Sequence, residues 1–128
     1  QAPIERVGND VQLGTPTMRT VTFTMEEVDQ DIAAAVNPGM TEQIDGQTVA
    51  RVVAVETEPS LIITTGENGS VNVVDHPTNR DVTITANVLV REASTGTRFK
   101  GRPMRVGSQT TLDLGTVTVK ATVVNIGA

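Results

Sequence analysis

Valine and threonine alternate along three separated stretches of this chain, "VTFTM" (21–25), "VTITANVLV" (82–90) and "TVTVKATVV" (116–124). Branching at the β-carbon restricts the side chain and suits a pleated surface, and a period of two sends successive residues to opposite faces. The first stretch sets Val21 and Phe23 on one face and Thr20, Thr22 and Thr24 on the other, as in a half-buried strand. In the second, Thr83, Thr85 and Asn87 are the expected outward positions.

A chain of 128 residues has room for one domain and a core of its own. It contains neither tryptophan nor tyrosine, and its aromatic residues are Phe23 and Phe99. Burial must therefore be summed over many aliphatic side chains, each contributing roughly 1.5–3 kcal/mol. The expected fold is mainly β, a small barrel or sandwich of two related β-units with one short helix.

Residues 1–18 mix Pro, Gly, Asn and Asp with isolated apolar residues at Ile4, Val7, Val11 and Leu13, which reads as an N-terminal arm or linker ahead of a β-rich domain over 19–128. A helix is expected over 25–36. Thr24 and Glu27 have capping-box spacing, Glu26, Glu27 and Asp29 place negative charge in the first turn, and Val28, Ile32 and Val36 form a stripe before Asn37-Pro38-Gly39 stops it. Asp45-Gly46 predicts one hairpin turn, and residues 66–69, Gly-Glu-Asn-Gly, a second between "LIITT" and "SVNVVD". "HPTN" (76–79) predicts a turn into the long strand, and short strands are expected around Phe99, at 104–106 and at 110–114.

Segments 21–55 and 82–126 echo one another. Each opens on Val-Thr-apolar-Thr, reaches a glycine (Gly39 or Gly107), turns at Gly46 or Gly115 and closes on a valine-rich strand. Two such units interlocked about a pseudo-twofold axis would close a small barrel with few free edges. This pattern resembles the cradle-loop barrels, an analogy of architecture that carries no function.

The net charge is −5 and the ten basic residues are scattered, which gives no footprint for a phosphate backbone; without aromatic platforms, single-stranded nucleic acid is excluded too. With no cysteine, disulfides, thiolate metal sites and thiol nucleophiles are impossible. No run approaches the ~18–20 apolar residues of a membrane-spanning helix. The chain opens on Gln1-Ala2-Pro3, so removal of something upstream is expected.

Asp75-His76-Pro77, with Ser70 or Thr78 nearby, contains parts of a triad, but no nucleophile lies in an elbow motif; Pro77 and Asn79 instead mark a solvent-facing turn. Asn68-Gly69-Ser70 fits the N-glycosylation pattern and equally the chemistry of a tight turn. Glu26, Glu27, Asp29 and Asp31 lack the spacing of a calcium loop. Arg98, Lys100, Arg102 and Arg105 form the one local basic concentration, a shallow anionic contact site or a solvated strand face. No catalytic, cofactor or metal-binding residue is assigned.

Four blocks, "RTVTFTMEEVDQDIAAAVNPGM", "DGQTVARVVAVETEP", "VNVVDHPTNRDVTITANVLVRE" and "GRPMRVGSQTTLDLGTVTVKATVVNI", resemble over about 19–127 a domain-of-unknown-function family of bacterial and archaeal proteins. That resemblance implies an N-terminal membrane helix followed by an extracytoplasmic β-domain. It brings no catalytic residues and no cofactor. The leading expectation is a non-catalytic structural or protein-interaction domain of the cell envelope, with protein partners or itself and with no nucleic acid, touching a membrane only through an anchor absent from this chain. The alternative is a self-assembling subunit of a surface filament or tube that donates its arm, Ile4 to Leu13, to a neighbour's sheet edge. A small anionic-ligand binder is the weaker third.

Overall fold

A computed structural model describes residues 15–127. In chain order it comprises β1 (Thr17–Asp29), α1 (Gln30–Ala35), β2 (Thr41–Ile44), β3 (Gln47–Thr65), β4 (Val71–Ala93), β5 (Gly96–Phe99), β6 (Arg102–Pro103), β7 (Gln109–Asp113) and β8 (Thr118–Ile126). The antiparallel sheet runs β2-β3-β4-β1-β8-β7, with β5 and β6 attached beside β4, and curls into a nearly closed barrel. The period of two decides what lies inside: Val21, Phe23 and Met25 of β1 and Val82, Ile84, Ala86, Val88 and Val90 of β4 are all buried. These two strands pair from Thr17↔Val90 to Asp29↔Asn79 and form the spine of the core. Val52 and Val123 close over it from either side.

The sheet order reads the same from both ends when β2 is exchanged with β7, β3 with β8 and β4 with β1. The ladders match in detail. Val21↔Ile126, Thr22↔Asn125 and Phe23↔Val123 on one side correspond to Ile84↔Val55, Thr85↔Ala54 and Ala86↔Val52 on the other, and each ladder skips one valine, Val124 or Val53. The Gly39 N–H donates to the Val52 carbonyl at 2.8 Å and the Gly107 N–H to the Val123 carbonyl at 2.7 Å. Both glycines have φ in the left-handed region, +92° and +98°, where a β-carbon is strained. The local axis passes through the Thr22–Thr85 pair, so Val21 corresponds to Ile84 rather than to Val82, two residues from the alignment that the repeated Val-Thr strings suggest.

Three expectations are corrected. The helix covers only 30–35, and β1 takes the residues assigned to its start. Thr24 is no helix cap; it pairs with both Thr83 and Thr122, and Met25 is buried. Helix propensities differ by only about 0.7 kcal/mol per residue, less than a buried methionine contributes. The strand bulges at Glu26 and Glu27 (φ +56°), resumes its ladder through Val28↔Arg80 and Asp29↔Asn79, and Asp29 then caps α1 by accepting from the Asp31 N–H at 2.8 Å. Ala33 and Val36 of the helical segment are buried, whereas Ile32 remains 42% exposed. At 76–79 β4 does not break; four residues bulge opposite the single Ser60. Residues 104–106 form no strand, although Met104 is buried as a core plug before the Gly107 turn. The arm residues Ile4, Val7, Val11 and Leu13 lie outside the described residues.

Candidate interaction surface

The β3–β4 pair is longer than the barrel that it helps to build. β2 accompanies β3 only as far as Arg51, and β1 accompanies β4 only between Asn79 and Val90. Past Pro59↔Arg80 the two strands pair with each other alone among the described residues, through Leu61↔Asp75, Ile62↔Val74, Ile63↔Val73, Thr64↔Asn72 and Thr65↔Val71. Five rungs at ~3.4 Å each make a ribbon roughly 17 Å long. Among the described residues, no strand pairs the backbone groups of its two outer edges.

Cross-strand partners share a face, so Leu61, Ile63, Val71 and Val73 line one side of the ribbon and Ile62 and Val74 the other. None of residues 61–75 is buried, and Ile63 and Val71 are 68% and 64% exposed. Contiguous aliphatic surface of this kind marks a contact site on a soluble protein more often than isolated exposed leucines do. The tip itself is polar. Residues 66–69 form the expected turn, closed by the Gly66 N–H to the Ser70 carbonyl at 2.7 Å, and the Asn68 Oδ1 accepts from the Ser70 N–H at 3.0 Å. Asn68, the glycosylation candidate, is exposed there with its carbonyl oxygen engaged in the turn.

The ribbon is anchored where it leaves the barrel. The buried Ser60 hydroxyl donates to Asp81 Oδ1 at 2.7 Å, and the Glu27 N–H in the β1 bulge donates to the same oxygen at 3.0 Å. These donors, Glu27 first and Ser60 second, hold the Asp81 carboxyl below its ordinary value of 3.8. On the other strand, His76 Nδ1 accepts from the Thr78 and Asn79 N–H groups at 3.1 and 2.9 Å. His76 is half-buried and caps the bulge. Arg80 spans the junction, donating to the Asn79 carbonyl at 3.0 Å and to Gln30 Oε1 at 3.3 Å. Among the described residues no group of three His, Asp or Glu side chains converges to hold a metal ion.

The basic residues do not form one face. Arg98 and Lys100 join Arg91 around an open cleft of about 260 Å³ whose apolar side is built by Ile44, Val49 and Leu89. Lys100 and Arg102 border a second depression next to Met104, and Arg105 lines neither. Lys100 also has a structural duty. With φ +55° at the β5–β6 turn, it sends Nζ to Glu42 Oε2 at 2.7 Å and to the Thr111 carbonyl at 2.8 Å. The buried Glu42 of β2 accepts the Asp113 N–H of β7 at 3.3 Å through its other oxygen. One carboxylate and one ammonium thus bridge the two edge strands, where no backbone ladder joins them.

Sequence reasoning placed the hairpin and its tip but missed that its aliphatics stay outside. The available signal was local: "LII" (61–63) and "VV" (73–74) abandon the alternation kept at 82–88, so both faces carry apolar side chains. The Glu42–Lys100 bridge had no signal, because its partners are 58 residues apart.

Fold and surface together define a small antiparallel β-barrel domain with a projecting aliphatic ribbon. The chain belongs to the DUF4330 family, described as a domain of unknown function, whose model matches residues 5–127. No match was found among curated proteins or among solved structures.

Proposed function

We propose that this protein is a non-catalytic structural and protein-interaction domain of the cell envelope, extracytoplasmic and tethered to a membrane by an anchor outside this chain, and that the β3–β4 ribbon is its contact element. The observation that supports the reading is the ribbon itself. A domain whose core is already closed by Phe23, Ile84, Val52 and Val123 extends two of its strands into a ribbon in which none of residues 61–75 is buried and, among the described residues, both edges are unpaired. Strand addition at such edges supplies main-chain hydrogen bonds, and the exposed aliphatics supply burial.

The test places a photo-crosslinking residue at Ile63, or at the exposed barrel position Lys120, in cells that make the full-length protein. Adducts from position 63 and none from 120 are expected, together with digestion of the domain by protease added outside the cytoplasmic membrane. Equal reactivity at both positions, or full protection of the domain inside the cytoplasm, would overturn the reading.

A further inference from the structure

The ribbon joins the barrel through two strands that are held in different ways. On β3 the junction is Ser60, whose hydroxyl donates to Asp81 Oδ1 at 2.7 Å, and the Glu27 N–H shares that oxygen at 3.0 Å. On β4 it is the bulge at 76–79, which stands opposite Ser60 alone and has no ladder to β3. There His76 Nδ1 gathers the loop by accepting from the Thr78 N–H at 3.1 Å and the Asn79 N–H at 2.9 Å.

Nδ1 accepts only while it carries no proton, so the ring in this arrangement is neutral with its proton on Nε2. Protonation of Nδ1 turns the one acceptor into a third donor facing the other two, and the bulge loses both bonds together. The closed bulge thus excludes a proton that the opened one takes up, so acid favours opening through the ordinary imidazole range, about pH 6.5.

Beside the bulge lie Asp75, Arg80 and Asp81 on β4, Glu58 on β3, Glu27 and Asp29 on β1 and Asp31 on α1. Among the described residues none of these carboxylates pairs with His76, and their combined charge accommodates an imidazolium once the ring is released. Arg80, which donates to the His76 and Asn79 carbonyls, keeps its charge throughout this range. Asp81, held below its ordinary value of 3.8 by the Glu27 N–H and then the Ser60 hydroxyl, stays ionised in mild acid. The β3 anchor therefore survives where the β4 bulge opens.

Resting on the reading of the ribbon as the contact element, we propose that His76 is a proton-operated latch on it. Neutral, it fixes the direction in which the ribbon leaves the barrel; protonated, it frees the β4 side while the β3 anchor holds. The ribbon keeps its own ladder, 61–65 against 71–75, and loses its setting. A contact element that must be ordered on binding associates more weakly, so the contact is made near neutral pH and released in mild acid.

The test compares the native chain with His76→Asn and His76→Ala. Asparagine offers an amide oxygen in place of Nδ1 and does not titrate, and alanine offers no acceptor. In proton–nitrogen correlation spectra from about pH 7.5 to about pH 5, the Thr78 and Asn79 amide signals of the native chain should shift with the imidazole, followed by those of 61–65 and 71–75 and not by Val21 or Ile84. His76→Asn should hold the neutral pattern throughout, and His76→Ala the acid pattern throughout. Photo-crosslinking from Ile63 in cells at the two ends of that range should fall about fivefold in acid for the native protein and stay level for His76→Asn. Thr78 and Asn79 signals that ignore the imidazole, an asparagine variant that responds as the native chain does, or a crosslink yield untouched by acid would each overturn the proposal while leaving the ribbon's role intact. Adducts absent at both pH values would overturn the ribbon's role and with it the control placed on it.

Discussion

Residues 82–90 and 71–75 belong to the same strand, draw on the same small set of β-branched residues and meet opposite fates. In the barrel half, Val82, Ile84, Ala86, Val88 and Val90 are buried to within 1% because β1 pairs on one side, β3 and then β5 on the other, and Val21 and Phe23 lie beside Ala86 and Ile84 on the same inner face. In the ribbon half, Val71, Val73 and Val74 are more than half exposed, because β3 is their one paired neighbour among the described residues. Hydrophobic stabilisation scales with area removed from water, so one residue type holds the fold together in one place and contributes little to it in the other. Retaining two open strands with aliphatic faces is an aggregation hazard for an isolated domain, which is why the ribbon reads as a surface built to be covered.

The sharpest way to break this comparison is a paired truncation. Ile84→Ala should cost about 3–4 kcal/mol in denaturant unfolding, through lost burial and the cavity left behind, whereas Ile63→Ala should stay within about 0.5 kcal/mol. Equal losses would mean that the ribbon is part of the core.

Next in size is the barrel's seam. Glu42→Ala should destabilise by about 2–3 kcal/mol, since it strands the Asp113 N–H and removes the carboxylate from Lys100, whose side chain is 23% exposed and can partly rehydrate. Glu42→Gln keeps an acceptor for Asp113 and should lose less; circular dichroism melts would rank the two.

The smallest effect lies at the junction between the two halves. Asp81→Ala should cost about 1 kcal/mol by leaving the Ser60 hydroxyl and the Glu27 N–H without their acceptor. Folding holds the Asp81 carboxyl below its ordinary value of 3.8, through the Glu27 N–H and then the Ser60 hydroxyl, and Glu92 below 4.5, through the Thr97 hydroxyl and then Arg19. Between the folded and unfolded values the unfolded chain binds more protons, so these contributions are complete above about pH 4.5 and fade as the pH falls through the folded values. Unfolding midpoints measured from pH 6 down to pH 3 should drop less in Asp81→Ala than in the native protein. A parallel decline would remove Asp81 from the account.

Most of the β architecture was legible because it is written locally. Asp45-Gly46 turns with φ +52° and +80°, as a tight hairpin requires, and residues 66–69 turn where four glycine-rich and polar residues separate two apolar runs. The helix was overextended because its capping pattern at Thr24 and Glu27 is also local, and there it competed with two ladders that the local pattern does not encode. Arg98, Lys100, Arg102 and Arg105 looked like one patch on alternation alone. The β5–β6 turn at Lys100 and Gly101 divides them, and Arg91, outside that run, takes a place in the cleft.

By itself, the sequence determined that this chain is β-structured, where it turns and which residues of each strand share a face, because backbone sterics and the period of two act between residues close in the chain. Only the tertiary structure decided that Glu42 reaches across to Lys100 and β7, that Thr24 extends a strand instead of capping a helix, and that Ile84 is covered while Ile63 is bare. Each of those outcomes depends on which distant segment lies alongside, and burial is a property of that neighbour as much as of the residue.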